Sequence, residues 1–289
     1  MRHKSTASRL RIRFSNVAGK LAELVKTLSV RRLNQEGGGI VFIGPDLYFG
    51  ERSADQKAVQ LALKREYDVI SELLKLLVSG GPEELVNGFE QADSQFRNWL
   101  DLDRTWSVTT NPAENAKKAL AVAEPIGRIL DVLDAASKND ILVVPDVNSL
   151  LADADPVKYR DVAGQDRFVF MLLPTVLGEL DKLKIEHRNI DVREKARKII
   201  DRIKGWRNQG ALTDGVTVDK SITVKAASRE PDMKNSLSWL DPSNNDDRII
   251  ASVLSIQVEF PAAQVTLVSA DINLLNKADA AMIETAELP

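Results

Sequence analysis

The chain has 289 residues, 44% of them hydrophobic and 28% charged, which is enough for about two domains with a sizeable buried core. It contains no cysteine, which excludes disulfides, thiolate catalysis and Cys-ligated zinc or iron-sulfur centres; two histidines, His3 and His187, argue against a His-based metal site or a Ser-His-Asp triad. A net charge of -3 argues against constitutive, tight nucleic-acid binding, which calls for a basic surface, and leaves carboxylates, hydroxyls, amides and cations as the available chemistry.

The opening MRHKSTASRLRIRF is basic but leads into no apolar core segment, so it does not read as a secretory signal. The longest apolar stretches, such as FVFMLLPTVL (168–177), are too short to span a bilayer, and the expected location is the cytoplasm, away from membranes. Up to residue 137 the grammar is helical. Val17, Leu21, Leu24, Val25 and Leu28 recur at helical spacing. A second helix starts at Ser53 with Gln56 completing a capping box and stops at Gly80-Gly81-Pro82. Helical patterns continue over 83–100 and 113–135, the latter expected to bend at Pro125. GGGIVFIG (37–44) is short enough for a strand or hairpin and lacks the Gly-Lys-Ser/Thr ending of a phosphate loop. Trp99 and Trp106 lie among apolar helical neighbours and are expected in a core or interface. No constellation here carries chemistry, so residues 1–137 are expected to form a mainly helical domain, the natural place for self-association or a protein partner.

From 138 to 289 apolar runs alternate with amphipathic helices. ILVV (141–144), RFVFMLL (167–173) and VTLV (265–268) read as buried parallel strands, and a further strand is expected within GVTVDKSITVKAA (215–227). This alternation predicts an open α/β sheet with helices on both faces and a reactive site at the carboxyl ends of its strands.

Acids fall at those ends. Asp146 stands two residues beyond ILVV, and Asp271 occupies the equivalent place after VTLV; either also suits a helix N-cap. In PTVLGELDKLK, Val176, Leu177, Leu180 and Leu183 form the inward stripe, and Glu179 lies three after Val176 and four before Leu183, along that buried side. Asp246 and Asp247 begin a helix whose apolar residues are Ile249, Ile250, Val253 and Leu254. Clustered carboxylates raise one another's pKa unless a cation neutralises them, and a purely oxygen ligand set calls for Mg²⁺ or Mn²⁺.

The order PDVNSLL, PTVLGELDKLK, NNDDRIIASVL, LVSADINLL on an alternating α/β frame resembles the PIN-domain nucleases over about residues 141–289. The resemblance implies a parallel sheet between helices and Mg²⁺- or Mn²⁺-dependent hydrolysis of RNA or flap-like nucleic acids. It implies metal-holding and catalytic roles for Asp146, Glu179, Asp247 and Asp271, with Asp246 as the alternative third acid. Asn148 or Ser149 would support the first acid, and Ser269 would hydrogen-bond near the fourth. The segment 205–242 is longer than compact members of the family require and is a candidate for shaping substrate access.

KLKIEHRNIDVREKARKIIDRIKGWR (182–207) follows the glutamate helix. Lys182, Lys184, Arg188, Arg193, Arg197 and Lys198, with Arg202 and Lys204 beyond them, are placed to guide a phosphate backbone toward the acids. Interspersed Glu186, Asp191, Glu194 and Asp201 leave open a solvated helix laced with its own ion pairs. His187 reads as a surface residue. The expected function is an endoribonuclease acting on single-stranded or structured RNA. The alternatives are a nuclease acting on DNA and a PIN-fold RNA-binding scaffold that cleaves weakly or not at all; four filled acidic positions argue against the scaffold. A haloacid-type phosphatase is excluded by Asn148, which stands where a second Asp is needed, and an Asp-x-Ser-x-Ser metal site by Leu150.

Overall fold

The computed structural model describes residues 4–32, 47–102, 107–135 and 140–288; Trp106, His3 and the GGGIVFIG run lie outside them. The chain divides into two compact units, Ala7–Leu133 and Asp134–Pro289 together with Met1–Thr6.

In the first unit the helical spacing of apolar residues forms α1 (Thr6–Lys26), α2 (Ala54–Val78), α3 (Glu83–Asp101) and α4 (Pro112–Ala135). Ser53 and Gln56 make the reciprocal capping box that starts α2, and α4 runs as one helix through Pro125. Phe14, Phe96 and Tyr67 fill the core, with ring centroids 5.1 Å apart for Phe14 and Phe96 and 4.6 Å for Tyr67 and Phe96. Trp99 is buried edge-on to Phe49. Phe49 belongs to an antiparallel pair that periodicity does not reveal, β1 (Val30–Arg32) with β2 (Leu47–Phe49).

The second unit is a six-stranded, mostly parallel sheet flanked by helices. Its strands are β3 (Ile141–Pro145), β4 (Phe168–Leu172), β5 (Val216–Asp219), β6 (Ile222–Ala226), β7 (Gln264–Val268) and β8 (Glu284–Ala286), in the order β5-β6-β4-β3-β7-β8. Only β5 runs antiparallel, so the stretch expected to hold one strand forms a hairpin. The helices are α5 (Val147–Ala152), α6 (Arg160–Ala163), α7 (Pro174–Glu186), α8 (Ile190–Arg207), α9 (Asn245–Glu259) and α10 (Ile272–Ala280). Val143, Val144, Phe170, Leu172, Val265 and Leu267 are fully buried, as expected of strands covered on both faces. Among the described residues no helix is long and apolar enough to cross a membrane.

The topology decides where chemistry sits. From β3 the chain steps to β4 and β6 on one side, then returns through α9 to β7 on the other. In open sheets of this kind ligands bind at the carboxyl ends where the strand order reverses, and that point here lies between β3 and β7. The two strands are in register to their ends, Pro145 opposite Val268, and the Asp146 N–H donates to the Val268 carbonyl at 3.0 Å.

Phe170 is fully buried at the sheet centre with Tyr159 edge-on at 4.8 Å. Phe170→Ala should destabilise the sheet unit by about 3–5 kcal/mol in denaturant unfolding; a loss under about 1 kcal/mol would show that the ring does not anchor this core.

Candidate active site

Asp146 and Asp271 leave adjacent strands and cap the helices that follow. One Asp146 oxygen accepts the Ser149 N–H at 2.6 Å, closing the first turn of α5. Its other oxygen accepts the Ser269 hydroxyl at 2.5 Å, and that hydroxyl oxygen in turn accepts the Asp271 N–H at 2.9 Å. Ser269 therefore joins the two strand-end acids. Ser149 Oγ donates to the Val268 carbonyl at 2.9 Å, tying α5 to β7. Asp146, Ser149 and Ser269 are buried. Asn148 is exposed, and its side chain makes no hydrogen bond among the described residues. The Asp271 carboxylate accepts from the N–H groups of Asn273 and Leu274 at 2.8 and 3.4 Å.

Glu179 lies on the side of α7 that Val176 and Leu180 bury, and is itself half-buried. Burial pushes its carboxyl above the ordinary glutamate range. The Asn245 amide opposes this by donating to Oε1 at 2.5 Å, while the negative charges of Asp246 and Asp146 push it further up and Lys182 opposes again. Glu179 thus feels acids from two other elements.

The cap of α9 is Asn244, whose side-chain oxygen accepts from the N–H groups of Asp246 and Asp247 at 2.9 and 3.4 Å. The two aspartates then part company. Asp246, a third exposed, faces Glu179 electrostatically. Asp247 is buried; one of its oxygens accepts the Asp241 N–H at 2.9 Å and the other lies 2.8 Å from the Lys277 ammonium.

The donor chemistry fits a hard divalent cation: every acid offers oxygen, and like charges converge on Glu179 where a cation would relieve them. The arrangement is not a finished cage. Among the described residues no three acidic or histidine side chains come together closely enough to hold a metal ion, and Asp146, Asp247 and Asp271 each accept from protein donors.

Sequence reasoning missed Lys277, Asn245 and Glu230. Glu230, from the long 205–242 segment, pairs with Arg248 of α9 at 2.7 Å and accepts the Thr175 hydroxyl of α7 at 3.3 Å, so this segment grips both acid-bearing helices. Lys277 sits in the last turn of α10, where a lysine is ordinarily a counter-charge to the helix end.

The basic segment breaks into α7 and α8 rather than forming one helix. Lys184 pairs with Asp181 and Lys204 with Asp201, but among the described residues Lys182, Arg188, Arg193, Arg197, Lys198 and Arg202 form no ion pair. The His187 ring meets the backbone of Asn189.

Because Glu179 holds its proton more tightly folded than unfolded, its contribution to stability is present at low pH and declines as pH rises from the ordinary glutamate value through the raised one. In thermal unfolding from about pH 4 to about pH 8 with chelator, Glu179→Gln should lose that decline and exceed the parent midpoint at the upper end. A variant that melts lower than the parent there would contradict a destabilised carboxylate.

A search of curated proteins found no match to the chain. A family model, described as PIN domain, matches residues 143–288, which include all five acids and the sheet from β3 to β8. PIN domains are nucleases as a class, so the sheet unit is a nuclease fold. With half its length matched and its acids at the expected strand and helix ends, the chain belongs to the PIN-domain family.

Proposed function

We propose that the chain is a cytoplasmic, Mg²⁺- or Mn²⁺-dependent endoribonuclease. One observation carries the reading: the half-buried Glu179 carboxyl is pushed up by its burial and further by the charges of Asp246 and Asp146, which come from other elements at the sheet's carboxyl edge. Such an arrangement costs folding energy and is kept where a cation or a reaction uses it. Asp146, Glu179, Asp246, Asp247 and Asp271 are the residues that would hold the metal. When bound, the ion supplies an acidified water for attack on phosphorus and neutralises charge on the leaving oxygen.

The remaining residues prepare the pocket. Ser149 and Ser269 orient Asp146, Asn245 orients Glu179, and Lys277 offsets the charge of Asp247. Arg188, Arg193, Arg197 and Lys198, which form no ion pair among the described residues, with Lys182 near Glu179 and Lys184 beside Asp181, offer a track for the phosphate backbone, and in a chain of net charge -3 this attraction is local. RNA is the favoured substrate on family resemblance, with DNA as the alternative.

A second reading, an RNA-binding PIN scaffold with weak or no cleavage, has an observation in its favour: the acids accept from protein donors and form no ready metal cage among the described residues. Incubation with single-stranded RNA and DNA, with and without Mn²⁺, separates the readings. Mn²⁺-dependent cutting of RNA is expected, and it should vanish in Asp146→Asn and Asp271→Asn chains of unchanged circular dichroism. Equal cutting by the double variant would overturn the nuclease reading, and RNA bound but left intact would favour the scaffold.

Replacing Arg193, Arg197 and Lys198 with glutamine should weaken RNA binding and flatten the log-affinity against log-salt slope by about 2, at roughly 0.7 per lost single-strand phosphate contact. An unchanged slope would remove α8 from the binding surface.

A further inference from the structure

Trp239 lies on the segment between the β5–β6 hairpin and α9 and is 44% exposed, whereas Trp99 is buried and Trp206 half-buried. Single apolar residues on a surface are ordinary, so exposure alone decides nothing. The mounting of this one does. A β-turn runs from Leu237 to Leu240, closed by the Leu240 N–H donating to the Leu237 carbonyl at 3.1 Å; both leucines are buried, and Trp239 between them turns outward. Two residues on, the chain is fastened again. The Asp241 N–H donates to Asp247 Oδ2 at 2.9 Å, and the Asp241 carboxylate accepts the Ser243 N–H and hydroxyl, both at 2.8 Å. Upstream, Glu230 ties the same segment to Arg248 and Thr175. Two residues of chain span at most about 7 Å, so the indole is held near the first turn of α9, at the carboxyl edge that carries the acids. Among the described residues its N–H has no hydrogen-bond partner and its ring meets no other ring or guanidinium.

Resting on the nuclease reading above, we infer that Trp239 is a stacking platform for an unpaired base and directs the site toward single-stranded nucleic acid. A base inside a duplex has both faces covered by its neighbours, whereas an unpaired base can lay one face on an aromatic ring. The turn that carries the ring is fixed before a strand arrives, so little ordering entropy opposes the contact. Stacking accepts every base, and the platform therefore reads strandedness and leaves sequence unread. The cations of α7 and α8 attract the phosphates of single and double strands alike; the indole adds the discrimination they lack. Nothing in this contact needs a bound ion.

The test is binding by the full chain of a labelled single-stranded RNA of mixed sequence, and of the same strand annealed to its complement, followed by fluorescence anisotropy with chelator present. Trp239→Leu, which stays apolar but has no ring, should weaken single-strand binding by at least about fivefold, the low end of what one stacked base contributes, and leave duplex binding unchanged. Trp239→Phe, which keeps a ring, should stay close to the parent. Strand binding should also quench the tryptophan emission of the parent, and Trp239→Phe should lose that quench while still holding the strand; a ring that only braced its loop would give no such signal. Unchanged single-strand affinity in Trp239→Leu overturns the inference and leaves the exposed ring to a protein contact. An equal loss on the duplex, or an equal loss in Trp239→Phe, overturns it as well. If Trp239→Leu does not fold, the quench in the parent and its loss in Trp239→Phe decide. A parent that binds neither strand nor duplex overturns the nuclease reading itself, whereas a parent that binds and cuts no better than Trp239→Leu overturns the platform alone.

Discussion

Carboxylates at one edge of a sheet repel, and the sheet unit sets a counterpart against each of its edge acids. Each acid has a different counterpart. Asp146 spends its charge on a helix-cap N–H and a serine hydroxyl, Asp271 on two N–H groups at a helix start, and Asp247 on a lysine. Among the described residues Glu179 has an amide donor and the charge of Lys182 against burial and two like charges, and the balance leaves its carboxyl pushed up. A folded carboxylate left this poorly compensated marks where an added positive charge has most to gain.

The fold supplies these counterparts because of where its helices begin. In a parallel sheet the helix that follows a strand starts at the carboxyl edge, where its exposed N–H groups welcome an acid. Asp146 after β3 and Asp271 after β7 take that position, and the register of β3 with β7 sets them side by side with Ser269 between. Glu179 comes from the first half of α7, the helix after β4, and Asp246 from the first turn of α9, the helix before β7. The segment between α8 and α9 contributes the β5–β6 hairpin at the sheet edge and Glu230, which ties the starts of α7 and α9 together.

Much of this was legible in the sequence. The runs behind β3, β4 and β7 stand out because strands buried on both faces are continuously apolar, whereas β1, β2 and β8 are three-residue strands with no period to read. Strand-end aspartates and the stripe position of Glu179 follow from local periodicity, and of the two strand-end acids it is Asp146 whose charge acts on Glu179. The distinction between Asp246 and Asp247 was not legible, since both stand three or four residues from apolar positions of α9; only α10 and the turn at Asp241 separate them. Asp146 takes the N–H of Ser149, the third helical position and one of the two that an N-cap side chain reaches. Lys277 and Glu230 act through partners more than 15 residues away, and pairs of that kind leave no local mark.

Asp146 and Asp271 cap helices, the proposed function gives each a second role, and the two roles are selected differently. A helix cap is worth about 1 kcal/mol to the folded chain whether or not any phosphodiester is ever cut. A lineage that abandoned catalysis would therefore still be held to aspartate or asparagine at these positions by stability alone. Filled acidic positions are weak evidence of activity in this architecture. Glu179, which caps nothing and sits where its charge is disfavoured, is the residue whose persistence speaks for chemistry.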